Sequence, residues 1–146
     1  MPQLTYLNQK AAKILEKLVD GVDYDNAKRV NNAPGVYMYV SVNQVAENQF
    51  SVAHYYEQNG DLCQDPDVVF LKSPSGRWFP IMFQQANPPV FQKPVEFNED
   101  GTIKGWRPKM LCDLVSFCNQ WMENIEEQQG RDLSGKVSPE QVELAG

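Results

Sequence analysis

The first apolar residues of the chain recur at intervals of three and four, which predicts an amphipathic helix over residues 4–19. The stripe consists of Leu4, Leu7, Ala11, Ile14, Leu15 and Leu18. Thr5 is a candidate N-cap, and Asp20-Gly21 is a natural end for this helix. Residues 20–35 carry Asp, Asn, Pro and Gly without a period, which predicts a loop.

From Gly35 the apolar period changes to two, which predicts β-strands at residues 36–42 and 50–57. The dipeptide Asn59-Gly60 predicts a tight hairpin turn after the second strand. Further strand segments are predicted at residues 61–65, 68–71, 77–84 and 90–97. Because proline has no N–H to donate, Pro66 and Pro94 are expected at edges, bulges or breaks. Strict alternation in the segment 77–84 would place Phe79, Ile81 and Phe83 on one face and Trp78, Pro80 and Met82 on the other.

A second helix is predicted over residues 108–129, where apolar residues again step by three and four. Pro108 suits the first helical position, and Gly130 suits the position just after the last. Residues 131–146 are polar and predict a mobile tail, in which the sequence from Ser138 to Gln141 is typical of a short helix start.

These elements predict an α+β fold. Short turns favour antiparallel neighbours, because parallel strands need long crossover connections. We therefore expect an antiparallel meander of four to five strands, with the N-terminal and the C-terminal helix packed on one face. Residues 1–130 would form the single domain, followed by the polar tail 131–146.

Composition narrows the functional classes. The 146 residues fit one domain, and the net charge of −6 disfavours nonspecific binding to nucleic acid. Three cysteines, Cys63, Cys112 and Cys118, give an odd count without CxxC spacing, so neither a disulfide framework nor a zinc site is indicated. The sequence shows no apolar run of membrane-spanning length and no signal-peptide pattern, so we expect a cytoplasmic protein without a membrane partner.

Four blocks of sequence resemble one known family. They are HYYEQNGDL at 54–62, DPDVVF at 65–70, GRWFPIMF at 76–83 and DLVSFCNQWMENI at 113–125. Together they resemble an uncharacterised domain family of bacterial plasmid, phage and conjugative-element proteins. The resemblance implies an accessory protein of a mobile element and supplies neither an activity nor catalytic residues.

His54 is the only histidine, and it stands near Glu57, Asp61 and Asp65. These four residues are the catalytic candidates, since a histidine beside carboxylates could serve as the general base of a small metal-assisted hydrolase. The alternative is a strand histidine packed among aromatic rings, with the carboxylates capping turns. The carboxylate cluster, which also includes Asp67, does not fit an EF-hand loop, so we expect neither a metal site nor a cofactor.

Tryptophan stands beside arginine twice, in Arg77-Trp78 and in Trp106-Arg107, as on surfaces that stack rings or bind anions. The alternative is a pair of core tryptophans whose neighbouring arginines reach solvent. A tyrosine set could line the second face of the sheet and bind a protein partner, or could simply fit a half-buried strand surface. Its members are Tyr37, Tyr39, Tyr55 and Tyr56.

No motif fixes a reaction. The leading hypothesis is a non-enzymatic binding module with a protein partner or a second copy of itself, using Tyr56, Arg77, Trp78, Trp106 and Arg107. The alternatives are the hydrolase centred on His54 and an acidic mimic of DNA that counters restriction.

Overall fold

The structure is a computed structural model. This structure describes the backbone of residues 4–58, 61–86 and 88–139, and the side chains of residues 4–54, 66–86 and 88–138. Two helices and nine strands follow one another along this part of the chain. They are α1 (Gln9–Val19), β1 (Asn26–Val30), β2 (Val40–Ala46), β3 (Gln49–Gln58), β4 (Asp61–Lys72), β5 (Trp78–Gln85), β6 (Val90–Gln92), β7 (Val95–Phe97), β8 (Ile103–Trp106), α2 (Pro108–Gln129) and β9 (Lys136–Pro139).

Seven strands form one sheet in the order β6-β5-β4-β3-β2-β1-β9, and β7 pairs with β8 in a separate two-stranded sheet. Every pair of neighbours is antiparallel. The predicted α+β antiparallel fold is therefore confirmed, with more strands than the four to five expected. Strand β3, which carries the His-Tyr-Tyr sequence, lies in the middle of the large sheet.

Both helices contribute to the core on one face of the large sheet, which we call the helix-covered face. Its side chains come from alternate strand positions, and Val42, Val52 and Val68 stand opposite one another across three strands. All three are fully buried, together with Leu15 of α1 and Ile125 of α2. Two ion pairs, Lys10–Glu123 and Lys17–Glu126, join the exposed sides of the helices. The opposite side of the sheet is the helix-free face.

The first helix begins later than predicted. Its N-cap is Asn8, whose side chain accepts a hydrogen bond from the Ala11 N–H at 2.8 Å, rather than Thr5. The preceding segment is not helical, and it is held to the sheet because the Leu7 N–H donates to the Trp78 carbonyl and the Leu7 side chain is buried. The predicted end at Asp20-Gly21 is confirmed, since α1 stops at Val19.

The predicted loop over residues 20–35 is wrong at β1. This strand lacks apolar alternation because a lysine, Lys28, fills a position on the helix-covered face. Its stem is buried, and its ammonium group donates to the carbonyls of Lys17 at 2.9 Å and Leu133 at 3.4 Å. Burial lowers the pKa of Lys28, while Asp20 and Asp132 act in the opposite direction.

The strand predicted from Val36 begins only at Val40, so its first half is wrong. The N–H groups of Val36 and Tyr37 both donate to the Ala33 carbonyl, which folds this segment into a turn. The side chains of Val36, Tyr37 and Met38 are consequently exposed instead of alternating across a sheet.

Two bulges interrupt the predicted alternation in the middle of the sheet. In β4, two residues including Pro66 stand opposite His54, which confirms that this proline lies at a bulge. The second bulge lies in β5, where Met82 pairs with Val69 and Pro80 pairs with Phe70. The bulge turns Met82 to the helix-free face and Phe83 to the helices, so the predicted faces of these two residues are wrong. The Asn59-Gly60 turn lies outside the described residues.

The strand predicted over residues 90–97 is two strands in different sheets. It breaks at Lys93-Pro94, so that β6 pairs with β5 and β7 pairs with β8. The strand pattern of the sequence did not predict β8. Helix α2 has the predicted bounds, with Pro108 first and Gly130 just after its end. Beyond it, Lys136–Pro139 forms the edge strand β9 on β1, where the sequence indicated a polar tail and a short helix starting at Ser138.

Candidate functional site

The candidate site combines a loop with the neighbouring part of the helix-free face. The loop comprises residues 31–39 between β1 and β2, and we call it the contact loop. Three of its consecutive side chains are apolar and exposed: Val36 by 73%, Tyr37 by 46% and Met38 by 37%. An uninterrupted exposed apolar run of this kind is typical of a surface that contacts another protein.

The contact loop is held in place by the C-terminal end of α2. The Gln129 side chain accepts a hydrogen bond from the Asn32 N–H at 2.7 Å and donates one to the Met38 carbonyl at 3.1 Å. The Asn32 side chain in turn donates to the carbonyls of Gln129 and Asp132. Gln129 is itself buried, so both ends of the contact loop are fixed from within the molecule.

A polar groove of about 760 Å³ begins beside the contact loop and extends over β1, β2 and β9. The residues that line it include Arg29, Asn31, Ser41, Asn43, Lys136 and Ser138. The guanidinium of Arg29 stacks on the Tyr39 ring, with its carbon 4.1 Å from the ring centroid. Arg29 and Lys136 are cross-strand partners, so two cations stand side by side in a lining that also contains hydroxyl and amide groups and the Asp132 carboxylate. Such a groove can accept polar or anionic groups of a partner.

Farther along the helix-free face, one buried carboxylate organises the centre of the sheet. Asp67 accepts a hydrogen bond from the Ser51 hydroxyl at 2.6 Å and another from the Gln84 amide at 3.3 Å. Asp67 and Ser51 are both buried. A paired carboxylate in this position is held by its neighbours, and the bonds fix the register of β3, β4 and β5.

His54 lies on the helix-covered face, away from the groove. Its ring meets the edge of the Trp121 ring, with the centroids 5.5 Å apart, and Nδ1 accepts a long bond of 3.5 Å from the Trp121 indole N–H. Burial lowers its pKa to about 4, so the ring is neutral at physiological pH. Its Nε2 has no hydrogen-bond partner within the described part of the chain.

The carboxylates proposed to act with His54 are Glu57, Asp61 and Asp65. Their side chains lie outside the described residues, as do those of Tyr55 and Tyr56. The hydrolase alternative therefore stays a prediction, and so does mimicry of DNA. Across the side chains that the structure does describe, no group of three His, Cys, Asp or Glu residues is arranged to hold a metal ion.

The two Trp-Arg pairs have different surroundings, and both tryptophans pack against the core. Trp78 is buried on the helix-covered face, where its indole N–H donates to Glu16 at 2.8 Å, and Arg77 stacks on the Tyr6 ring at 4.1 Å. Trp106 packs at the margin of the core, and its indole N–H is buried without a partner among the described residues. Arg107 is exposed and lies 3.6 Å from Glu96. Their predicted role in binding stays a prediction.

Two cysteines are described, and they differ in surroundings. Cys112 is exposed on α2, whereas Cys118 is buried in the core, where desolvation raises the pKa of its thiol. Neither described helix combines the length and hydrophobicity that crossing a bilayer would require.

Sequence patterns missed Arg29, Lys136 and Gln129 as members of the candidate site. Arg29 belongs to a strand that the pattern did not reveal, and Gln129 is one of several polar residues at the end of a helix. Tyr37 and Tyr39 were predicted from the sequence as candidate partner-binding residues. Tyr39 directly precedes β2, whereas Tyr37 lies in the turn of the contact loop. The exposed run beginning at Val36 could have been recognised from Pro34-Gly35, a typical turn sequence.

Comparison with known proteins gives one match. The model of a family described as a domain of unknown function, DUF6908, matches residues 9–130, from the start of α1 to the end of α2. Strand β9 lies beyond the matched span. No curated protein and no solved structure matches the chain.

Proposed function

The chain belongs to the DUF6908 family of domains of unknown function, and from its surface we propose that it is a non-enzymatic binding module for a protein partner. The contact loop is the centre of the interface, and the polar groove beside it receives polar groups of the partner. The resemblance to proteins of plasmids, phages and conjugative elements adds the setting, an accessory role in a bacterial mobile element. We place this role in the cytoplasm.

One observation carries this proposal: Val36, Tyr37 and Met38 project from a loop that is already fixed by Gln129. A fixed loop loses little conformational entropy on binding, so its apolar area contributes directly to affinity. Tyrosine and methionine are also enriched in the cores of protein interfaces. Arg29 and Lys136 at the adjacent groove favour a partner whose facing surface is polar or acidic.

Photocrosslinking in living cells tests the proposal. A benzophenone amino acid would replace Tyr37, and in a matched control it would replace Tyr24, which is exposed by 58% before the opposite end of β1. We expect position 37 to give a crosslinked product of discrete mass, because it lies in the interface. Position 24 should give none.

A double substitution, Tyr37→Ser with Met38→Ser, provides the second arm. Both side chains are exposed, so the free energy of unfolding should change by less than about 0.5 kcal/mol per residue. A crosslinker at Val36 should then lose its product in this variant and keep it in a Tyr24→Ser control. Equal crosslinking from positions 24 and 37, or a product that survives the double substitution, would contradict the proposed interface. Light scattering of the purified protein separates a foreign partner from a second copy of the chain.

A further inference from the structure

The helix-free face has an apolar part, and the β7–β8 hairpin lies beside it. Between the sheet and the hairpin runs a groove of about 660 Å³, which we call the hairpin groove. Its apolar lining consists of Val45, Val69, Ile81, Met82, Val95 and Phe97. The first four belong to the sheet and the last two to β7. Pockets of roughly 300–1,000 Å³ are the size that holds small organic ligands.

The β5 bulge creates much of this apolar floor. Because the bulge interrupts alternation, two consecutive residues, Ile81 and Met82, both line the hairpin groove. Val69 is the cross-strand partner of Met82 and extends the floor onto β4. The floor thus presents apolar surface that the strand would otherwise have divided between the two faces of the sheet.

Two lysines stand at the margin of the hairpin groove. Neither Lys93 nor Lys104 forms an ion pair with a carboxylate that the structure describes, and the Lys93 ammonium lies 5.7 Å from the centroid of the Phe91 ring. Glu96 is the acidic residue in the described lining, and it is paired with Arg107 at 3.6 Å. The hairpin groove therefore joins an apolar floor to two lysines that have no ion-pair partner among the described side chains.

We propose that the hairpin groove binds a small amphipathic carboxylate of the fatty-acid type. The apolar chain of the ligand lies on Val69, Ile81 and Met82, and its carboxylate is held by Lys93 and Lys104. Apolar burial favours the chain, and charge-assisted hydrogen bonds to ammonium groups favour the head group. This site is separate from the contact loop, so it stands or falls independently of the proposed protein partner.

Two fluorescent probes of similar shape test the site. One is 8-anilinonaphthalene-1-sulfonate, whose sulfonate stands in for the carboxylate, and the other is uncharged N-phenyl-1-naphthylamine. We expect saturable binding of one sulfonate probe per folded chain, with displacement by laurate below its micelle concentration. Raising the salt concentration from about 0.05 to about 0.5 M should weaken binding of the sulfonate probe and leave that of the uncharged probe unchanged.

Charge-removing variants localise the site. Lys93→Gln and Lys104→Gln should each weaken the sulfonate probe about three- to fivefold, and the double variant about tenfold, because each removes one partly solvated charge contact. The uncharged probe should bind as before. Lys13→Gln removes the same charge from an exposed position on α1 and should affect neither probe. Met82→Gln, which alters the floor, should weaken both probes.

Circular dichroism and cooperative urea unfolding of every variant ensure that the probe reports the folded protein. The proposal is overturned if laurate fails to displace the probe, or if Lys93→Gln and Lys104→Gln behave like Lys13→Gln. Equal loss of both probes in the lysine variants would also overturn it, because the ammonium groups would then not be recognising the charge.

Discussion

His54 shows how one buried side chain can set the response of this protein to acid. It occupies an inner strand, and its ring is enclosed between the sheet and Trp121 of α2. Protonation would place a charge there, and the Trp121 indole N–H points toward Nδ1 as a donor, so it cannot accept a proton from the ring. The neutral ring is therefore the form that the folded protein accommodates.

We predict a pH-dependent loss of stability that originates at His54. Its pKa is about 4 in the folded state and about 6.5 in the unfolded state. Well above pH ~6.5 the ring is neutral in both states and contributes no pH dependence. As the pH falls from about 6.5 to about 4, the unfolded state binds a proton that the folded state does not, so the free energy of unfolding decreases by about 3 kcal/mol.

Two measurements check this prediction. Since His54 is the only histidine, its ring proton resonances can be followed in NMR titrations without assignment, and they should report a pKa of about 4. Urea unfolding of the native protein and of His54→Asn across the same pH range should differ in slope, while the contributions of carboxylates cancel. A titration midpoint near that of a free histidine would show that the ring is accessible to water.

Lys28 and His54 also show what sequence patterns can and cannot predict at the residue scale. Alternation put His54 on the same face as Val52, and the alternative of a strand histidine packed against an aromatic ring agrees with its contact to Trp121. Lys28 lay in a predicted loop, yet its side chain points into the helix-covered face. What makes Lys28 acceptable there is the Lys17 carbonyl at the end of α1, which only the assembled fold brings within 2.9 Å. Burial of a polar residue depends on such a distant partner, and periodicity carries no information about it.

Among the elements, α2 was predictable because residues typical of helix ends mark both of its bounds, Pro108 at the start and Gly130 after the end. The hairpin strands β2 and β3 followed in part from their alternation. The bulge in β4 was marked by Pro66. Strand β1 and the bulge in β5 did not follow from the sequence, because they depend on cross-strand register. The contact loop combines both cases: its apolar residues were visible in the sequence, but their exposure depends on the turn at Ala33.

We predict that Gln129→Ala releases the contact loop. The substitution removes the hydrogen bonds to the Asn32 N–H and the Met38 carbonyl, and it should lower the free energy of unfolding by about 2 kcal/mol. Hydrogen exchange of residues 31–39 should become faster, because the loop is then held at fewer points.

Gln128→Ala is the matched control, since it alters the neighbouring glutamine, which is only half-buried. It should change the free energy of unfolding by less than about 0.5 kcal/mol. If both variants exchange alike over residues 31–39, the contact loop is held by something other than the Gln129 side chain. Reduced crosslinking at position 37 in Gln129→Ala alone would connect the rigidity of the loop with binding.

At the scale of the whole molecule, the large sheet is completed by a strand from the far end of the chain. After α2 the backbone returns to β1 and adds β9 at its edge, so the first and last strands of the described chain are neighbours. For this return, the backbone at Gly135 must lie very close to β1, and Gly135 has a φ of +54°. A Cβ atom there would lie 2.6 Å from the Arg29 carbonyl oxygen and 2.9 Å from a Val30 methyl group.

We therefore predict that Gly135→Ala detaches β9 from the sheet or strains its docking. Positive φ and contact with fixed backbone should together cost about 2 kcal/mol or more of unfolding free energy. Amide exchange should accelerate in β1 and β9 while the centre of the sheet keeps its protection, because these two strands share one ladder.

Gly105→Ala serves as control, since no heavy atom lies within 4 Å of its added Cβ. Unfolding in urea should leave this control near the native value, and equal stabilities of the two variants would mean that β9 adjusts without cost. Because Arg29 and Lys136 line the polar groove from these two strands, loss of β9 would remove one wall of the candidate site and leave the hairpin groove intact.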